Sequence, residues 1–176
     1  VITIGGGGKL SPGSSIGNFS PRGGLAVIAD MRRQIASTDR KCRVGVWIGV
    51  DLVKPVDILQ AAYDDALGVT AAFNLNLLRN FNRSFGTDFD PTQWKHVALF
   101  DAAQSRIEMH LQAREAVRVA WHGGERDFRS GERVHTENSY KYSINAFEAL
   151  LRNAGFKATA HWTDPKGWFA VFWASA

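Results

Sequence analysis

The chain has 176 residues, 45% of them hydrophobic, which is enough for one domain with a substantial core or for a large piece of a two-part enzyme. Its formal charge of +4 comes from 21 Lys and Arg against 17 Asp and Glu, and the basic residues stand in ones and twos rather than as a stripe with interleaved aromatics, which argues against a nucleic-acid binder. A single cysteine, Cys42, excludes an internal disulfide and a cysteine-based zinc site; with no signal-peptide pattern and no apolar run of the roughly 18 residues a membrane span needs, the protein is expected to be soluble and cytoplasmic.

Residues 1–4 predict a short buried strand, and residues 5–15, from GGGGK through SPGSS, read as turn material. The glycine tract departs from a phosphate-binding loop, because Lys9 is followed by Leu10 instead of Ser or Thr and Thr3 stands where the first glycine belongs. Ser20-Pro21 offers an N-cap and a proline at the first helical position, after which Leu25, Ile28, Met31 and Ile35 recur at helical spacing. Residues 43–53, RVGVWIGVDLV, form the near-continuous apolar run expected of a parallel strand buried on both faces. Strand, crossover helix and strand make a βαβ unit, whose ligands sit beyond the carboxyl ends of the strands, here the 13–18 loop and the neighbourhood of Asp51.

Beyond Pro55 the spacing predicts helices over 56–67 and 70–85, divided at Gly68, with Phe73, Leu77, Phe81 and Phe85 on one face of the second and Gly86 at its end. Asp90-Pro91 suits the cap of a further short helix. Segments 96–100, 106–111, 117–121 and 134–136, separated by Gly123-Gly124 and Ser130-Gly131, predict a small antiparallel subdomain. Ser143 caps a helix carrying Ile144, Phe147, Leu150 and Leu151, which Gly155 ends. The aromatic-rich runs 158–162 and 168–173 then form a hairpin around TDPKG.

Candidate chemistry is sparse. The five histidines (His96, His110, His122, His135, His161) show no metal-ligand spacing, so no metal is expected, and no nucleophile elbow is present. In the loop PGSSIGNFSP, glycines allow close approach of a backbone to a ligand and Asn18 offers a donor and an acceptor beside a strand end; a tight turn without a ligand suits it equally. In HTENSYKY, Glu137 and Ser139 lie two apart, so an extended backbone points both to one side, where they are able to serve the two nitrogens of an imidazole; a solvated edge strand has the same pattern.

Three stretches together, GSSIGNF at 13–19, GVDLVKP with AAYDDALGVTAAFNLNLL within 49–78, and RIEMHL with GERVHTENSYKY within 106–142, resemble the histidine-specific Nα-methyltransferases that make trimethylhistidine (hercynine), the ergothioneine precursor. The resemblance implies an α/β fold: the C-terminal part of a Rossmann-like class I methyltransferase sheet, with an inserted α+β substrate-binding subdomain and a C-terminal antiparallel hairpin. It divides the chain into a partial core over 1–54, the insertion over 55–142, and a final helix and hairpin over 143–176. It implies S-adenosylmethionine as cofactor and a histidine-like amino acid as substrate. By position in the motifs, Asn18 and Tyr63 resemble the residues that hold and orient the amino-acid head group, with Thr70 in support. Glu137 and Ser139 resemble the imidazole-binding pair, Met109 a residue lining that pocket, and Gly13, Ser14 and Ser15 the turn beside the cofactor.

The sequence also departs from the family pattern. A glycine-rich cofactor turn, an acidic ribose-binding residue and N-terminal tyrosines are not located, and IGGGGKL stands where an aromatic strand is expected. The expectation is of a chain that is inactive alone, complemented by an N-terminal half or self-associating through an open sheet edge. The alternatives are a non-catalytic amino-acid-binding or dimerisation module derived from a methyltransferase, and a methyltransferase acting on a different amine.

Overall fold

The computed structural model describes residues 2–4, 8–36 and 44–175, so Cys42 and most of the glycine tract lie outside the described residues. The chain divides into two compact units: residues 1–54, 103–106 and 139–176 form the first, and residues 55–102 and 107–138 the second.

In the first unit, β1 (Ile2–Ile4), β2 (Gly8–Ser11), β3 (Gly45–Asp51), β9 (Ala158–Thr163) and β10 (Phe169–Ser175) form a sheet in the order β1-β2-β3-β10-β9. β2 runs parallel to β3, with Lys9 opposite Val46 and Ser11 opposite Ile48, whereas β1 is antiparallel to β2 and β10 is antiparallel to both β3 and β9. This corrects the reading of residues 8–11 as turn material: they are the strand that feeds the 13–18 loop. A short segment weak in intrinsic strand preference is held there by pairing on both sides.

The crossover between β2 and β3 is α1 (Pro21–Ala36), entered as expected, with the Gly23 N–H donating to Ser20 Oγ at 3.2 Å. Its buried Ile28, Met31 and Ile35 join Val46, Ile48 and Val50 of β3, Phe172 of β10, and Phe147 and Leu151 of a helix at Ile144–Asn153, forming the core of this unit. That helix is capped by Ser143, whose Oγ accepts from the Ala146 N–H at 3.2 Å. The closing hairpin turns at Asp164, whose carboxylate accepts backbone N–H groups from Lys166, Trp168 and Phe169.

The second unit holds α2 (Val56–Tyr63), α3 (Val69–Phe85), a three-stranded sheet in the order β4-β5-β8 (Trp94–Asp101, Arg106–Ala113 and Arg133–Tyr140) and a hairpin of β6 (Val117–Trp121) and β7 (Gly124–Phe128); β5 and β8 also reach into the first unit. The Ile144–Asn153 helix is therefore α4 in chain order. α3 begins after Gly68 and ends at Gly86, which have φ of +70° and +65°, a backbone region in which a side chain is strained. The face chosen from its spacing is not its core face: Phe73 is 69% exposed and Phe85 65%, whereas Asn74 and Leu78 are buried. β7 was not anticipated, because its GERDF sequence is polar; the pairing is supported by Arg118, which donates to both carboxylate oxygens of Asp127 at 2.7 and 3.1 Å.

Candidate functional site

In the first unit the 13–18 loop leaves the carboxyl end of β2, and residues 15–18 form a single 3-10 turn. Ile16 and Gly17 are buried and anchor it, while Gly13, Ser15 and Asn18 are exposed. The anchor is tight, since a Cβ on Gly17 would sit 2.8 Å from the Tyr140 carbonyl oxygen. Ser14 Oγ accepts from the Asp51 N–H at 2.8 Å, which ties the loop to the end of β3. Beside Gly13 a Cβ would meet nothing within 4 Å, so this part of the turn is open to close approach.

The same strand end carries a cluster that sequence reasoning missed. The Lys141 ammonium group donates to Ser139 Oγ at 2.8 Å and pairs with Asp51 Oδ2 at 2.7 Å, while Asp51 Oδ1 pairs with Lys54. The Lys141 side chain is 0% exposed. Its backbone is fixed as well: the Lys141 N–H donates to the Ser105 carbonyl at 2.8 Å, and Ser105 Oγ donates to the Lys141 carbonyl at 2.9 Å. Ser105 has φ of +51°, the one positive φ outside glycine among the described residues.

In the second unit Tyr63 is the last residue of α2, half-buried against Leu59, Ile107 and Met109. Its carbonyl lies 2.7 Å from His96 Nε2, so that nitrogen donates; His96 Nδ1 then accepts from the buried Asn74 amide at 2.9 Å, and Asn74 also donates to the His110 carbonyl. This relay fixes the end of α2 and had no signal in sequence beyond an Asn among the apolar positions of α3. Thr70 lies in the first turn of α3, where its N–H donates to Asp65 at 2.8 Å and the Val69 N–H to the same carboxylate at 3.0 Å. These bonds hold the Asp65 carboxyl down at a pKa of about 2. Met109 is 5% exposed, and its carbonyl accepts from Thr136 Oγ1. Glu137 lies on β8 two residues before Ser139, so the pair shares one strand with the spacing read from sequence.

Two histidines that looked scattered are neighbours: His110 of β5 stacks on His135 of β8 with centroids 4.8 Å apart, and His110 Nε2 lies 3.0 Å from Glu108 Oε2. One ligand atom from each of the three falls within 4.8 Å of the others. The ring planes lie 25° apart, so the two imidazoles stack, and the His110 contact to Glu108 is a hydrogen bond. Burial pushes the His110 pKa down despite the opposing hydrogen bond that its Nε2 makes to the Glu108 carboxylate, with nearby His135 and Arg133 acting in the same direction as burial. An imidazole whose pKa is lower in the fold takes up a proton more readily when unfolded. Stability is therefore expected to fall as pH drops through the ordinary imidazole range, and the slope to flatten in His110→Gln. Urea midpoints measured between pH 7.5 and 5 check this, and parallel slopes would contradict it.

Residues 8–176 match the family described as histidine-specific methyltransferase, SAM-dependent. The chain belongs to that family. Over 161 residues it is 42% identical to the histidine N-alpha-methyltransferase of Mycolicibacterium smegmatis and 38% identical to that of Mycobacterium tuberculosis, in each case covering 90% of this chain and 49% of the relative. It is 31% identical over 157 residues to ergothioneine biosynthesis protein 1 of Neurospora crassa, covering 88% of this chain and 17% of that protein. The chain thus spans about half the length of the first two relatives. A histidine-specific methyltransferase of this family depends on S-adenosylmethionine. The exposed turn at Gly13 and Ser15, with its open glycine, fits a ligand approaching the carboxyl ends of β2 and β3. Among the described residues, no helix is long and apolar enough to cross a membrane.

Proposed function

We propose that the protein methylates the α-amino group of L-histidine to trimethylhistidine, using S-adenosylmethionine, as a step of ergothioneine formation. The observation that carries this reading is the family match across residues 8–176, which includes both the 13–18 loop and the Glu137–Ser139 segment. When bound, S-adenosylmethionine supplies an electrophilic methyl group on a sulfonium sulfur. The chain's contribution is to hold the acceptor amine, unprotonated, in line with that methyl group and away from water.

In this reading Asn18, exposed on its loop, orients the amino group, and Tyr63 anchors the carboxylate from the end of α2, with Thr70 in support through the capped start of α3. Glu137 accepts from one imidazole N–H and Ser139 serves the other ring nitrogen, while the nearly buried Met109 backs the pocket as apolar filling. Gly13, Ser14 and Ser15 form the cofactor-side turn, in which Ser14 acts through its bond to the Asp51 N–H and Gly13 through its open face. An amino acid without ring nitrogens would leave the Glu137 carboxylate unpaired, which gives the selectivity.

The test is calorimetric titration with histidine and with S-adenosylhomocysteine, alongside methyl-transfer assays of this chain alone and mixed with the N-terminal half of the Mycolicibacterium smegmatis relative. Glu137→Ala is expected to weaken histidine binding on the order of ten- to a hundredfold, the range for a hydrogen bond to a charged group. Unchanged affinity would overturn the imidazole assignment. Histidine binding without any binding of S-adenosylhomocysteine, alone or in the mixture, would favour the amino-acid-binding module over the enzyme.

A further inference from the structure

The Lys141–Asp51 pair has no evident reason to exist as a stabilising device. Burying an ammonium group costs several kcal/mol of solvation, and apolar side chains in place of a buried ion pair are often neutral or stabilising. Here the lysine is nonetheless fully buried, its backbone is held by two hydrogen bonds to Ser105, and Ser105 itself adopts a strained φ of +51°. So much constraint on one cation points to what the cation touches, and among its partners is the Ser139 hydroxyl.

An ammonium group has three donors and no acceptor, so in this contact Ser139 Oγ accepts. Its rotamer and the direction of its own proton are then set by a group that cannot reverse roles. A ring nitrogen meeting such a hydroxyl is matched best when it carries a lone pair, which is the neutral tautomer with its other nitrogen protonated towards a carboxylate. Asp51 also contributes its backbone N–H to Ser14 Oγ, so one residue at the end of β3 braces both the 13–15 turn and the Ser139 hydroxyl.

We propose that Lys141, anchored by Asp51, is a positioning and specificity-determining residue that fixes the Ser139 hydroxyl for an unprotonated imidazole nitrogen. This rests on the reading of Ser139 as an imidazole contact. Lys141 does not touch the substrate; its effect passes through Ser139.

The test is a double-mutant cycle on histidine affinity in the intact protein, using Ser139→Ala, Lys141→Met and the two combined. Each single substitution is expected to weaken histidine binding on the order of ten- to a hundredfold. The double variant should bind no more weakly than Ser139→Ala, and affinity for S-adenosylhomocysteine should hold throughout. If Ser139→Ala leaves histidine affinity unchanged, the underlying reading fails. If Ser139→Ala weakens binding but Lys141→Met does not, or if the two losses add, the Lys141 proposal alone is overturned. Should Lys141→Met fail to fold, Asp51→Leu with Lys141→Met removes both members of the pair and leaves Lys54 as the one cation that loses its carboxylate. In that background the same loss is expected, and adding Ser139→Ala should not deepen it.

Discussion

Replacing Gly49 by alanine is expected to cost at least about 3 kcal/mol, read as a fall in the urea midpoint and as loss of the folded first unit at moderate temperature. Gly49 sits within β3, opposite Val171 of β10. A Cβ built on it would overlap the Pro12 carbonyl oxygen and lie 2.8 Å from Phe169 Cζ and 2.9 Å from Pro12 C. The phenylalanine ring is able to swing away, but the Pro12 backbone is not free to do so. It directly follows Ser11, which is paired with Ile48, and it leads into Ser14, which accepts from the Asp51 N–H. Alanine must therefore prise the loop from β3, and with it the turn proposed to face the cofactor. Gly13→Ala is the control: its Cβ meets nothing within 4 Å, so its stability should change by no more than about 0.5 kcal/mol. Equal stability of the two variants would show that the close approach of Pro12 to β3 is not what Gly49 serves.

The parts of this architecture that were legible in sequence are those whose local signals agree with their tertiary surroundings. α1 had a cap, a proline and an apolar stripe, and that stripe is its buried face. The final hairpin had two aromatic runs and a turn, and Asp164 secures that turn with its own carboxylate. Where pairing partners decide, the sequence is mute. β2 is short and starts on glycine, and it is a strand because β1 and β3 flank it; β7 is polar and is held by ion pairs to β6. On α3 periodicity alone chose the phenylalanine stripe, whereas the buried positions are Asn74 and Leu78, the former because its amide has work to do at His96 and His110.

The candidate site follows the same rule. The two-residue spacing of Glu137 and Ser139 on one strand was readable, as was the 13–18 segment as a turn, but spacing and turn chemistry suit a ligand-free edge and loop equally, and the roles proposed for these residues come from the family resemblance. Lys141 was not readable. In ENSYKY it looks like a solvated polar residue, and only the distant Asp51 and Ser105 make it a buried cation. Burial of a charge is a property of the partner, and the partner comes from another part of the chain.

Removal of that partner gives the second large effect. Asp51→Ala is expected to destabilise the first unit by about 3–5 kcal/mol, the range for leaving one member of a buried ion pair uncompensated. The asymmetry of exposure sets the direction of the argument: the Asp51 side chain is 18% exposed and Lys54, its other partner, 12%, but the Lys141 side chain is fully enclosed. Lys54 keeps some exposure through which to reach water once its carboxylate is gone; Lys141, fully enclosed and pinned through its backbone to Ser105, has none. Most of the cost should therefore come from Lys141, and removing that lysine as well should restore much of the loss. In urea unfolding, the Asp51→Leu, Lys141→Met protein is accordingly expected to be markedly more stable than Asp51→Ala, while Lys54→Ala alone should cost little. If the double variant is as unstable as Asp51→Ala, the penalty lies in the loss of Asp51 from the end of β3 and the cation is not the enclosed charge its surroundings indicate. If it recovers stability but binds histidine poorly, the pair is retained for what it does to Ser139 and at the expense of stability, which is how a buried charge at a recognition site differs from one that merely holds a fold together.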